Sequence, residues 1–155
     1  MILVIDFGSQ TAHLIGRRLR QLGVAVAYVT PEEALEELKK NTYSGIVLSG
    51  GPSSVYEEGA PTLDKAVFEL PTPILGICYG WQLMAHLLDG EVKSASKEYG
   101  PEQLTMSNAA GLGLPVQNCQ VFMSHGDSVV KLPSGFEVIG STARVPNTAV
   151  RHTSK

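Results

Sequence analysis

Cysteine is scarce in this chain: Cys78 and Cys119 are the only two among 155 residues. Two thiols can pair in principle, but without an export signal they suit a reducing compartment better than a disulfide framework. The amino-terminal stretch MILVIDFG is apolar. It has no basic n-region and no small-residue cleavage site, so it does not read as a signal peptide and a cytoplasmic location is expected. Long apolar runs are missing, and none approaches membrane-spanning length. Charge is neither abundant nor one-signed: charged residues make up 17% and the net charge is −3, which argues against a nucleic-acid partner. No two His or Cys residues have zinc-like spacing, so no metal is expected. Internal repeats, low-complexity segments and linkers are absent. What is present is a chain that is 43% hydrophobic and long enough for one domain, residues 1–155, with a sizeable core.

The chain is organised around Pro71–Gly90, PTPILGICYGWQLMAHLLDG. Ile74, Leu75 and Ile77 form a short apolar run, as in a buried parallel strand. Gly76-Ile77-Cys78-Tyr79-Gly80 follows. Then Trp81, Met84, Ala85 and Leu88 recur at helical spacing, and Gly90 stands where a C-cap is expected. Cys78 thus falls at a strand-to-helix junction flanked by glycines, the thiol version of a nucleophile elbow. A helix N-terminus favours the thiolate that attacks a carbonyl carbon, and the Tyr79 N–H is placed to hold a developing oxyanion. The competing reading is a small buried core cysteine.

Upstream, strands alternate with helices. Ile2–Ile5 is a strand, and Asp6-Phe7-Gly8-Ser9 a turn into a helix whose apolar stripe is Ala12, Ile15, Leu19 and Leu22. Arg17, Arg18 and Arg20 make its solvated face, and Gly23 ends it. Val24–Val29 is a second strand. Thr30-Pro31-Glu32-Glu33 predicts a helix start with Thr30 as N-cap and Glu33 completing a capping box. That helix runs to about Lys40, with Glu36 and Lys40 spaced for an ion pair. Gly45–Ser49 is a third strand, followed by the loop Gly50-Gly51-Pro52-Ser53-Ser54 and a helix carrying Leu63, Val67 and Phe68. This alternation implies an α/β fold: a doubly wound, mostly parallel open sheet of flavodoxin-like type. The Asp6–Gln10, Ser49–Ser54 and Cys78 segments all lie at strand carboxyl ends and are expected to share one rim. From Glu91 to Ser141 the pattern becomes short β segments, Gln103–Met106, Cys119–Ser124 and Phe136–Ser141. These imply a short antiparallel addition in the C-terminal third, with one more strand around Thr148–Arg151.

The Ser49–Ser54 loop could cradle phosphate, but it lacks the Gly-Lys-Ser/Thr ending of a P-loop. Its Ser-Gly-Gly start is also like the nucleotide loop of ATP pyrophosphatases, against which Pro52 and a missing Asp speak. The better reading is that Gly51 supplies a second oxyanion N–H from a neighbouring βα loop. Among the histidines, His86 is roughly 12 Å along the helix from Cys78 at about 1.5 Å per residue, too far to act as its base. His13 begins the first helix with nothing specific to support a role. His152 has no carboxylate after it. His125, in Met-Ser-His-Gly-Asp, looks like part of a ligand-binding loop. None of the four is expected to combine the right neighbourhood with an orienting carboxylate.

Gly76-Ile77-Cys78-Tyr79-Gly80-Trp81-Gln82 resembles the nucleophile motif of the class I glutamine amidotransferases. Asp6-Phe7-Gly8-Ser9-Gln10, Ser49-Gly50-Gly51-Pro52-Ser53-Ser54-Val55, Glu98-Tyr99-Gly100 and Met123-Ser124-His125-Gly126-Asp127 are similar, in order and approximate spacing, to the glutaminase domain of GMP synthetases. The resemblance spans Ile2 to about Val150. It implies that Cys78 attacks the glutamine carboxamide while the Gly51 and Tyr79 amides hold the oxyanion. It implies that Gln82, Ser124, His125 and Asp127 help hold the glutamine amino acid moiety. It also implies a partner, the GMP synthetase ATP-pyrophosphatase domain or subunit, which uses the ammonia to aminate XMP with ATP and magnesium. No cofactor is then expected in this domain.

The family completes its triad with a downstream Gly-x-Gln-Phe-His-Pro-Glu segment. This sequence stops before any such segment, so the domain is expected to be incomplete at its C-terminus and inactive alone. Two rival readings follow. One is a non-catalytic glutamine-binding or regulatory module. The other is a cysteine-elbow protein of the DJ-1/PfpI type, in which His typically follows the cysteine where this chain has Tyr79.

Overall fold

The computed structural model describes residues 1–107 and 118–154, which fall into two compact units, Met1–Leu87 and Leu88–Lys155. The expected β stretch Glu91–Ser141 includes residues 108–117, which lie outside the described residues.

In the first unit, strands β1 (Ile2–Ile5), β2 (Val26–Val29), β3 (Gly45–Leu48) and β4 (Ile74–Gly76) alternate with helices α1 (Gln10–Gln21), α2 (Ala34–Lys40) and α3 (Tyr79–Leu87). The strands pair in parallel in the order β2-β1-β3-β4. Ile2 sits opposite both Val26 and Gly45, and Leu48 opposite Gly76. The two inner strands are apolar throughout because both their faces are covered: Leu3, Val4, Ile5, Ile46, Val47 and Leu48 are all buried. Val4, Ala12 and Val47 form one core cluster, with Ile2, Ile15, Leu19, Val26 and Tyr28 packed on it. The order reverses between β1 and β3, which makes their carboxyl ends the switch point where open α/β sheets bind ligands.

The local signals act as read in α1. Ser9 is its N-cap, and the Ser9 hydroxyl accepts a hydrogen bond from the Thr11 N–H at 3.1 Å. Gly23 follows the C-cap at φ +79°, a conformation that suits glycine. Arg17, Arg18 and Arg20 are exposed, as expected, and Leu22 is exposed as well.

Several expectations change. Helix α2 begins at Ala34 rather than Pro31, with Glu33 as its N-cap. The preceding residues close i→i+3 bonds instead, Glu33 N–H to Thr30 O and Ala34 N–H to Pro31 O, both at 3.3 Å. The Thr30 hydroxyl still donates to Glu33 Oε2 at 3.1 Å. Glu36 pairs with Lys39 at 2.8 Å, not with Lys40, since three- and four-residue spacings both bring helix side chains together. The helix expected around Leu63–Phe68 is only a 3₁₀ segment, Lys65–Glu69, capped by Asp64. Pro61 before it and Pro71 and Pro73 after it leave no room for more turns, yet Leu63, Val67 and Phe68 are buried as read. Strand β4 is an edge strand, not a buried one, and Leu75 is 58% exposed. After α3 the left-handed residue is Asp89, at φ +67°, rather than Gly90.

The second unit is antiparallel: β5 (Glu91–Met106), β6 (Cys119–Lys131), β7 (Phe136–Ser141) and β8 (Ala149–His152) in the order β6-β5-β7-β8. The expected strand near Thr148–Arg151 is β8. The expected segment Phe136–Ser141 is β7, while Gln103–Met106 and Cys119–Ser124 are instead parts of a long two-stranded ribbon of 16 and 13 residues. The segment Met123–Asp127, expected as a ligand-binding loop, lies inside β6, and Gly100 and Pro101 lie inside β5, with Gly100 at φ +111° opposite Met123. The ribbon also carries a bulge: Glu98 faces His125 and Ser94 faces Asp127, so four steps along β5 match two along β6.

Among the described residues no helix is long and apolar enough to cross a membrane.

Candidate active site

The loops after β1, β3 and β4 meet, as the shared rim requires. The Phe7 N–H donates to the Ser49 hydroxyl at 3.1 Å, and Ser49 is wholly buried. The Ser49 hydroxyl in turn donates to the Gly50 carbonyl at 2.9 Å. A Cβ on Gly50 would stand 3.7 Å from Cys78 Cβ and 3.2 Å from Thr11 Oγ1. Gly50, which sequence reasoning passed over in favour of Gly51, is therefore a wall of the site beside Cys78. The signal was there in the doubled glycine, but the sequence does not say which of the two faces the thiol.

Cys78 stands between β4 and α3 at φ +52°, a left-handed conformation that is uncommon without glycine. Its carbonyl accepts from the Gln82 N–H at 3.0 Å, so Cys78 occupies the N-cap position of α3. The flanking glycines are sterically required. A Cβ on Gly76 would lie 2.9 Å from the Trp81 N and Cα atoms, and one on Gly80 would lie 2.4 Å from the Leu48 carbonyl oxygen. The Gly80 N–H is satisfied by the Ser49 carbonyl at 3.0 Å, which ties the elbow to the end of β3. Holding Cys78 in a sparsely populated conformation on a glycine-lined turn is how a short side chain is presented at a sheet edge.

Tyr79 is 1% exposed and braces this turn. Its ring packs on Phe7 with centroids 5.2 Å apart and lies against Gly51, whose Cβ would be 3.2 Å from Tyr79 Cγ. Its hydroxyl donates to the Pro61 carbonyl at 2.5 Å. Burial pushes the Tyr79 phenol above its ordinary value, and the Glu57 carboxylate adds to the rise. Gln82, in the first turn of α3, is 6% exposed. Cys119, in β6, is half-buried.

The second unit holds Ser124, His125 and Asp127 on β6. They do not share a face: Ser124 is exposed, whereas Asp127 is buried and the His125 ring nearly so. Contrary to expectation, His125 does have a carboxylate partner. Its Nε2 lies 3.2 Å from Glu98 Oε2. Sequence reasoning missed this because Glu98 is 27 residues away, and only strand pairing places it opposite His125. The other ring nitrogen, Nδ1, is 2.9 Å from the Asp127 carbonyl oxygen. Both nitrogens are thus engaged, which leaves neither for a thiol. His13 stacks near Tyr28 with centroids 5.4 Å apart and is exposed, as is His86. The His152 and Phe136 rings meet edge to face with centroids 5.0 Å apart, and His152 Nδ1 accepts from the Ser154 N–H at 3.3 Å. Among the described residues no cluster of three or more His, Cys, Asp or Glu side chains is arranged to hold a metal ion.

A parallel α/β unit with a strained cysteine elbow at a helix N-terminus and a double-glycine loop beside it defines an α/β protein of the cysteine-elbow class. The model of one family, glutamine amidotransferase class-I, matches residues 3–155, and the chain belongs to that family. It is 47% identical over 157 residues to "GMP synthase [glutamine-hydrolyzing]" of Bacillus licheniformis, and 46% identical to that of Aquifex aeolicus. These matches cover 100% and 99% of the chain but 31% of each relative, so the chain spans about a third of their length. The crystal structure of a Thermoplasma acidophilum protein, described as one subunit of a GMP synthase, superposes with a TM-score of 0.85 at 30% identity. That match covers 99% of this chain and 78% of the other.

Proposed function

We propose that this chain is the glutaminase part of a GMP synthase. The observation that carries the reading is Cys78 at φ +52° on the N-terminus of α3, held there by two glycines with no room for a Cβ. The Cys78 thiolate attacks the carboxamide carbon of glutamine, and the Gly51 and Tyr79 N–H groups receive the oxyanion. Collapse breaks the C–N bond, the departing nitrogen takes a proton and leaves as ammonia, and a glutamyl thioester remains. Water then cleaves the C–S bond to give glutamate and free thiol. Gln82, Ser124, His125 and Asp127 serve the amino acid moiety of glutamine. The ammonia goes to the ATP-pyrophosphatase domain or subunit, which aminates XMP with ATP and magnesium. No step on this chain requires a cofactor. The setting is cytoplasmic, consistent with two free thiols, Cys78 and Cys119.

A second reading, a glutamine-binding module without turnover, is favoured by one observation: both His125 ring nitrogens are already bonded. The two readings share a ligand, glutamine, and differ in chemistry. The test is labelling with a diazo-ketone analogue of glutamine. Modification of Cys78 but not Cys119, with protection by free glutamine, supports glutamine recognition at the elbow. Equal labelling of both thiols would sink it. Glutamate release that depends on Cys78 separates enzyme from binding module.

A further inference from the structure

Glu98 has no exposed surface, and its two oxygens are divided between β6 and the segment after β7. Oε2 faces His125 Nε2 at 3.2 Å, and Oε1 accepts from the Thr142 hydroxyl at 2.6 Å. Thr142 itself accepts from the Val145 N–H at 3.0 Å, so the carboxylate ties β5, β6 and the segment after β7 together. The proton count is constrained. The Asp127 carbonyl can only accept, so His125 Nδ1 carries a hydrogen. A second hydrogen must lie between Nε2 and Glu98, on one atom or the other.

We propose that Glu98 is a positioning residue for the Ser124–Asp127 segment. It clamps the imidazole at Nε2 while Nδ1 grips the main chain two residues on, so that His125 serves glutamine as an internal strut of this segment. Three observations support this. Glu98 is directly opposite His125 in the β5–β6 register, so both side chains share one face, while the exposed Ser124 next to His125 turns to the other. The bulge between Ser94 and Glu98 interrupts the ladder at this point, so the ribbon there is not held by strand pairing alone. A buried ionisable pair is also a poor source of stability compared with an apolar pair of similar volume, so its presence is better explained by what it fixes. This inference rests on the proposal that the segment serves glutamine.

The test is glutamine binding by calorimetry on the full chain, with Glu98→Ala, Glu98→Gln, Glu98→Asp and His125→Ala. Gln can accept from Thr142 and donate to Nε2, so Glu98→Gln is expected to bind like the unaltered chain. Glu98→Ala should weaken binding about tenfold or more, the size of one charge-assisted hydrogen bond. Glu98→Asp, one methylene short, should also weaken binding and covers the case in which Glu98→Ala does not fold. Nitrogen-15 spectra should show Nδ1 of His125 protonated in the unaltered chain and in Glu98→Gln. If His125→Ala weakens binding and neither Glu98→Ala nor Glu98→Asp does, the positioning role is overturned and the glutamine reading stands. A folded Glu98→Gln that binds as poorly as Glu98→Asp also overturns it, because charge rather than hold would then matter. If the unaltered chain shows no glutamine binding, or His125→Ala and all Glu98 variants bind alike, the glutamine reading of this segment fails and the proposal with it.

Discussion

Gly80 is so close to Leu48 that a Cβ on it would lie 2.4 Å from the Leu48 carbonyl oxygen and 2.5 Å from its Cβ. Backbone atoms in a central strand cannot yield as a flexible side chain can. Gly80→Ala is therefore expected to push α3 away from β3 and cost about 1–3 kcal/mol, the usual size of an overpacking strain. Thermal unfolding measures the cost. Labelling of Cys78 should slow in the same variant, and normal stability with normal labelling would show that the elbow tolerates the shift.

The strain at Cys78 gives a second prediction with opposite signs in two readouts. A left-handed conformation costs a non-glycine residue roughly 1–2 kcal/mol. Cys78→Gly should recover part of that, less the greater entropy of a glycine in the unfolded chain. Cys78→Ala keeps a Cβ and should recover none. We expect Cys78→Gly to be the more stable of these two variants in urea denaturation, with neither labelled at position 78. Equal stabilities would mean that the turn is not strained.

Two buried tyrosines predict how the fold responds to alkali. Tyr43 is pushed from 10.0 up to about 12, by burial first and then by its hydrogen bond to the Glu37 carboxylate. Tyr79 is raised as well. The unfolded chain releases these protons near pH 10, while the folded chain holds them longer. Between those values the native state binds more protons, so stability falls as pH rises. The contribution is complete below pH 10 and lost by about pH 12 for Tyr43. Tyr43→Phe should flatten that part of a pH series of denaturation midpoints. A slope unchanged by the substitution would assign the loss elsewhere.

Turnover is the fourth prediction. Expulsion of ammonia and attack of water both need a general acid/base, worth about 10²- to 10⁴-fold in rate. His13 and His86 are exposed, and both nitrogens of His125 are occupied. Residues 1–155 assayed alone should release glutamate at close to the rate of Cys78→Ala. Robust turnover abolished by Cys78→Ala would mean that one of these histidines changes partners in the working enzyme.

The strand-and-helix alternation of the first unit was legible because each signal is local. Ser9, Gly23 and the glycines around Cys78 act within a few residues of themselves. The edge position of β4 was not legible, since Leu75 is apolar whether or not a neighbour covers it. The ribbon of the second unit was read as fragments because Gly100, Pro101 and Gly126 carry turn chemistry wherever they occur. Only a ladder across the chain overrides it. The site divided the same way. Cys78 announced itself through its neighbours, whereas Glu98 and Gly50 acquire meaning only from residues far along the sequence.

The spacing of the strand partners also sets an order for folding. Val138 pairs with Val150, which closes a hairpin of a dozen residues, while Ile2 must find Gly45 across the whole of α1, β2 and α2. Loop closure makes the distant parallel pairing the slower event. The β7–β8 hairpin should therefore protect its amides early in refolding, and the β1–β3 pairing late. The Ser49 and Phe7 contact that aligns the glycine loop beside Cys78 waits on β1 and β3, so a newly made chain acquires the surroundings of Cys78 among its last steps.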